Sequence, residues 1–111
     1  MPWTVDYPFS DVTEHIKALD KPTAAKVDRM LRLLAQQGYR LPPEHTKALG
    51  DGLFELKIGG TTQRFFYGFS GKLNTIIVLL AMKKGGGARR GRRGQSSGIE
   101  KAKSRLSSLR G

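Results

Sequence analysis

Cysteine is absent from this sequence, which excludes disulfide staples, thiolate chemistry and zinc sites built on sulfur. Histidine is nearly absent: His15 and His45 are the only two, and they show no metal-ligand spacing. Acids are scarce, nine Asp and Glu against twenty Lys and Arg, and they are scattered singly rather than gathered as hard ligands. We therefore expect neither a metal nor another cofactor. Long apolar runs are missing as well. The longest mostly apolar stretch, Thr75 to Met82, is far short of the ~20 residues that a spanning helix needs. The opening MPWTVDYPFSD carries neither the basic n-region nor the apolar h-region of a secretory signal, so a cytoplasmic location away from membranes is expected. No internal repeat is visible, which removes solenoids and propellers.

What is present is 111 residues, enough for a single domain over 1–111, with 38% apolar residues to fill one small core. The net charge is +11, and it is unevenly spread. Residues 1–82 hold ten Lys and Arg against eight acids; residues 83–111 hold ten against Glu100 alone. A polyanion partner follows naturally, because Lys and Arg that meet phosphates release counterions. A solvated basic tail is the other reading of the same charge.

Hydrophobic spacing predicts the elements. Trp3, Val5 and Tyr7 alternate with Thr4 and Asp6 as a short half-buried strand closed by Pro8. Ser10 and Asp11 open a short helix with Val12, Ile16 and Leu19 on one side. Asp20-Lys21-Pro22 opens a second helix, whose stripe is Ala24, Val27, Met30, Leu31 and Leu34, and Gly38 stops it. The two should form a helical hairpin. Tyr39 to Leu49, with Pro42-Pro43, reads as a loop. Three strands follow: Leu53–Ile58, a two-residue turn at Gly59-Gly60, Thr62–Phe69, and Leu73–Met82, the last apolar on both faces and so central. Residues 83–98, rich in glycine and arginine, read as a mobile basic loop. Ser97-Gly98-Ile99-Glu100 has the form of a capping box, opening a short C-terminal helix over 98–109. The expected fold class is α+β, in the order β-α-α-β-β-β-α, with an antiparallel sheet packed on the helical hairpin.

Alternation along the strands places Leu53, Glu55 and Lys57 on one face, and Arg64 on the face of Thr62, Phe66 and Gly68. Lys57 and Arg64 flank the Gly59-Gly60 turn, where like charges facing each other are unfavourable unless an anion lies between them. Lys84, with Lys83, leaves the last strand in position to complete a cationic cup. The bland reading is that these are polar residues on a solvated sheet face. Glu55 reads either as a general base or as an ion-pair partner of Lys57 or Arg64. His15 and His45 read as surface residues. Trp3, Tyr7, Phe65, Tyr67 and Phe69 read as core; Phe66, sharing Arg64's face, is placed to stack on a nucleotide.

Four blocks carry a family resemblance. Leu49 to Lys57 (LGDGLFELK), Gln63 to Phe69 (QRFFYGF), Val78 to Lys84 (VLLAMKK) and Ile99 to Leu106 (IEKAKSRL) resemble, in the right order, segments of the phage-derived and HigB-like toxins of the RelE superfamily. The resemblance implies a RelE-like fold. It also implies the toxin of a type II toxin–antitoxin pair: a metal-independent, ribosome-dependent endoribonuclease that cuts messenger RNA and is neutralised by a cognate antitoxin protein. Such enzymes position a ribose 2′-hydroxyl to attack the adjacent phosphate, leaving a cyclic phosphate and a 5′-hydroxyl. By the same match, Lys57, Arg64 and Lys84 are the counterparts of the catalytic cations. RNA contact is assigned to Lys83, Phe66, Arg89, Arg90, Arg92 and Arg93, the four arginines toward ribosomal RNA. Two departures stand out. No tyrosine or histidine follows Tyr67, which leaves the acid for the departing oxygen among Lys83 and Lys84, and the loop before the last helix is longer and more basic than in the family. A non-catalytic RNA- or ribosome-binding protein on the same scaffold is the alternative these departures favour.

Overall fold

The computed structural model describes residues 3–71, 74–84 and 88–110, with side chains for all of these except 88–97 and 110. Strand β1 (Thr4–Asp6) leads into helices α1 (Ser10–Lys17) and α2 (Lys21–Gln37) and a short 3-10 turn (Gly38–Arg40). Strands β2 (Thr46–Gly50), β3 (Leu53–Lys57), β4 (Gln63–Phe69) and β5 (Thr75–Lys83) follow, and α3 (Ala88–Arg110) ends the chain. The strands form one five-stranded sheet in the order β1-β5-β4-β3-β2. Strands β2 to β5 are an antiparallel meander, while β1 joins the far edge parallel to β5.

The second helix forms where its signals lie. The Asp20 carboxylate accepts the Thr23 N–H, Pro22 sits in the first turn, and Gly38 ends the helix at φ 51° with its N–H on the Leu34 carbonyl. Val27, Met30, Leu31 and Leu34 then form the stripe that is buried on the sheet. Each face of the sheet carries its own core. On one, α1 and α2 cover Leu56, Ile58, Phe65, Tyr67, Ile76 and Val78. On the other, Ala102 and Leu106 of α3 meet Leu53, Phe66, Leu79 and Leu80. A bulge in β5 lets Phe66 pair with Leu80 and Tyr67 with Val78, and so turns both Leu79 and Leu80 toward α3. β5 is thus apolar on both sides and internal, as its composition predicts.

Four expectations need correction. The segment read as a loop to Leu49 contains β2, which pairs with β3 around Gly50-Asp51-Gly52, all at positive φ (89°, 55° and 80°). Its sequence, TKALG, has little strand propensity; backbone pairing at a sheet edge makes it a strand. The sheet is accordingly five-stranded and not wholly antiparallel. The turn between β3 and β4 is longer than two residues, because the Ile58 N–H bonds to the Gln63 carbonyl and the Thr61 N–H to the Ile58 carbonyl. Finally, α3 begins at Ala88, within the stretch expected to be loop. Alanine, arginine and glutamine in this stretch are good helix formers, while Gly91, Gly94 and Gly98 each cost ~1 kcal/mol relative to alanine. The supposed capping box is therefore mid-helix, and Gly98 serves close approach instead: a Cβ there would lie 2.9 Å from the Met82 Sδ and 3.4 Å from the Phe66 ring.

Candidate active site

Register and alternation gather the cations at one end of the sheet. The Thr46 hydroxyl bonds the Tyr67 hydroxyl at 2.6 Å, so Thr46 points to the face covered by α1 and α2. Leu56 and Phe65 point the same way. Lys57 and Arg64, their neighbours within β3 and β4, therefore point to the opposite face, and alternation carried one residue back from Thr46 puts His45 there too. Lys57 pairs directly with Arg64, and Arg64 with Met82. The Lys57 N–H reaches the His45 carbonyl at 2.8 Å, which continues the β2–β3 register one residue past the strand and sets His45 across from Lys57. The result is a transverse row, His45, Lys57, Arg64, on three neighbouring strands.

The pairing of Lys57 with Arg64 is of the close kind. Because Lys57 turns its own N–H toward His45, it meets Arg64 as a non-hydrogen-bonded pair, where facing Cα atoms are about 4.5 Å apart. Arg64 Nη1 donates to the Gln63 carbonyl at 2.9 Å and the Thr61 carbonyl at 3.4 Å, which fixes its guanidinium over the end of the hairpin. The Lys84 N–H bonds the Thr62 carbonyl at 2.7 Å and carries the β4–β5 register outward, bringing exposed Lys84 to Arg64's side of the sheet. Two facing cations and a third nearby form a concentrated positive field on a rigid support. Such an array is suited to hold phosphate oxygens and to stabilise charge that develops on them.

Other candidates lie elsewhere. Lys83 faces Gln63 in the register and falls on the opposite face, the side on which the Gln63 side chain bonds His15 at 2.6 Å. It does not join the cup. Phe66 is fully buried beneath α3, between Leu80, Gly98 and Leu106, and presents no ring face to a base. Its position on Arg64's face is right, but that face is a core wherever α3 covers it. Glu55 shares this face and is also buried, opposite Phe66 and Lys47. The side chains of Arg89, Arg90, Arg92 and Arg93 lie outside the described residues. His45 is the residue that sequence reasoning set aside. Counting back from the β3 pairing would have placed it, had β2 been recognised.

α3, which covers the neighbouring part of this face, is anchored by one of its arginines. Arg105 bonds both oxygens of Asp11 and the Leu79 carbonyl, and its guanidinium lies 4.3 Å over the Phe9 ring. Lys101 adds a longer pair to Asp11 at 3.9 Å. Among the described residues, no three of His, Asp and Glu gather where a metal ion could be held. Nor is any helix among them long and apolar enough to cross a membrane.

Residues 14–107 match the family of phage-derived Gp49-like proteins. Comparison with curated proteins finds no match. The fold is similar to that of several solved toxins. The toxin–antitoxin complex RelBE2 of Mycobacterium tuberculosis aligns with a TM-score of 0.59 at 21% identity, over 75% of this chain and 92% of that one. The RelE–RelB complex of Pyrococcus horikoshii OT3 gives 0.60 at 15%, over 78% and 100%. A mutant E. coli toxin RelE in the free state gives 0.64 at 11%, over 90% and 97%.

Proposed function

This chain belongs to the Gp49-like family of phage-derived proteins and has a RelE-like fold, and from that premise we propose that it is the toxin of a type II toxin–antitoxin pair. Its activity in this reading is ribosome-dependent, metal-independent cleavage of messenger RNA in the cytoplasm. Two of the structural neighbours are complexes of a toxin with its antitoxin, which supports a small antitoxin protein as the natural partner here.

The observation that carries the reading is the Lys57–Arg64 pair with Lys84 beside it. Attack of a 2′-hydroxyl on the adjacent phosphorus puts charge on the non-bridging oxygens. Arg64 is built to grip such oxygens through two parallel N–H bonds, and Lys57 adds a point charge across the strand. An anion between them turns a repulsive pair into an attractive one. The excess of basic residues over 83–111 suits ribosomal RNA, with the four arginines of the first turns of α3 at its centre.

A non-catalytic RNA-binding protein would share that basic excess but would not need the paired cations on a rigid strand. Induction of the chain in growing cells, with messenger integrity read beside growth, separates the two. Cut messenger and arrested growth, both abolished by Arg64→Ala, are expected. Arrest with intact messenger would establish binding alone.

A further inference from the structure

We propose that His45 is the general acid of the cleavage, the group that protonates the 5′ oxygen as it leaves; this rests on the nuclease reading above. The sequence has no tyrosine or histidine after Tyr67 to take that role. The fold supplies one at the β2 edge of the sheet. His45 stands next to Lys57 in the transverse row, its carbonyl on the Lys57 N–H, and alternation continued from Thr46 puts it on the face of Lys57 and Arg64. Neighbouring strands are about 4.8 Å apart, so the row from His45 to Arg64 is about 10 Å long. A phosphate held by Lys57 and Arg64 then has His45 toward one end and Lys84 toward the other. An in-line displacement needs this layout, because the attacking and leaving oxygens lie on opposite sides of phosphorus.

The alternatives on this face are poor. Arginine does not give up its proton in proteins, Glu55 is buried, and the ammonium of a lysine such as Lys57 or Lys84 is ordinarily a far weaker acid than an imidazolium. His15, the other imidazole, is bonded to Gln63 on the opposite face. His45, by contrast, is positioned and accessible. Its N–H bonds the Pro42 carbonyl at 2.9 Å, its carbonyl accepts from Lys57, and its side chain is 32% exposed. Its Nε2 lies 3.6 Å from the exposed Glu44 carboxylate, a contact on the solvent side that a bound RNA can replace. In the step itself the 2′-hydroxyl loses its proton to solvent and the O2′–P bond forms. The P–O5′ bond breaks with its electron pair going to O5′, which takes the proton of the His45 imidazolium. The neutral imidazole is then reprotonated by water.

The test uses ribosome-bound messenger with sulfur in place of the bridging 5′ oxygen at the mapped cut site, since a thiolate leaves without protonation. On ordinary messenger, His45→Gln and His45→Ala should be slower than wild type by about 10²–10³ in single turnover. On the sulfur substrate both should cut within a few-fold of wild type, while Lys57→Ala stays slow on both. Melting temperatures of the His45 variants should match wild type, because both backbone bonds at residue 45 survive the substitution. Wild-type rates on ordinary messenger, or equal slowing on both substrates, would overturn the assignment and leave the nuclease reading standing. A wild-type chain that cuts neither substrate would overturn both.

Discussion

Arg105, near the end of α3, grips Asp11 at the start of α1 through both carboxylate oxygens, Nη1 to Oδ1 at 3.1 Å and Nη2 to Oδ2 at 2.9 Å. The same guanidinium donates to the Leu79 carbonyl at 2.7 Å, at the bulge of β5. One side chain thus ties the last helix to the first helix and to the central strand. It holds in place the helix under which Leu53, Phe66 and Leu80 are buried.

The Asp11–Arg105 pair should make stability depend on acid. The Arg105 hydrogen bonds hold the Asp11 carboxyl below the usual carboxylate range. A carboxyl whose folded pKa is depressed contributes stability above its unfolded pKa of about 3.9 and loses it as pH falls through the folded value. Asp11 is 46% exposed, so the contribution is about 0.5–1 kcal/mol. Asp11→Asn should lower the melting temperature at pH 7 by roughly 2–6 °C, with the gap from wild type closing as the pH falls through the lowered folded value. Arg105→Ala should cost more at neutral pH, because it also takes the donor from the Leu79 carbonyl. Melting curves from pH 2 to pH 7 check both. A gap independent of pH would mean that the pair is only a steric contact.

Arg64 should be the cation whose loss costs most in rate at little cost in fold. Its neighbour across the strand is another cation, so Arg64→Ala relieves repulsion and should change stability by roughly 0.5 kcal/mol at most. Loss of a preorganised donor to a developing anion costs about 10²–10³ in rate. Arg64→Lys should recover only part, since an ammonium cannot bind two oxygens in parallel. Single-turnover cleavage beside thermal melting decides it, and loss of activity only through early unfolding would make Arg64 structural.

Phe66 should behave as core. Phe66→Ala opens a cavity between β4 and α3 and should cost about 3–5 kcal/mol, while Phe66→Leu should cost far less and keep cleavage near wild type. Denaturant unfolding measures the first effect. A well-folded Phe66→Leu with strongly weakened RNA binding would restore the stacking role that its burial argues against.

Arg89, Arg90, Arg92 and Arg93 should serve affinity rather than chemistry. Replacing all four by Gln keeps helix propensity but removes four charges. Ribosome binding should weaken, and the slope of log K against log salt should flatten by up to about 0.7–0.9 for each phosphate no longer neutralised. Cleavage of messenger already bound should be unchanged. Filter binding at several salt concentrations, with single-turnover cleavage alongside, separates the two effects.

Much of the fold was legible because its signals are local. Asp20, Pro22 and Gly38 bound α2, and strand alternation set Lys57 with Glu55 and Arg64 with Phe66 on their own strands, while the register between the two strands came from the structure. What was not legible depends on contacts distant in sequence. β2 has no pattern of its own and exists through pairing with β3, so His45 could not be placed. Alternation put Phe66 beside Arg64 correctly, but only the packing of α3 shows that this part of the face is covered. Lys83 and Lys84 are adjacent in sequence and look equivalent there, yet the register sends them to opposite faces.

The parallel pairing of β1 with β5 joins Thr4 to Thr75 and Asp6 to Ile77, and so closes a loop that spans most of the chain. The meander from β2 to β5 closes only short turns, and it carries Lys57 and Arg64, with His45 just ahead of its first strand. Loop-closure entropy therefore favours the local pairings that build the cationic row over the distant pairing that adds the N-terminal strand. During synthesis, N-terminus first, β1 has no partner until β5 has been made. The nascent chain keeps an unsatisfied strand for most of its elongation, and the edge beside β5 remains open to any other extended segment until the N-terminus returns to it.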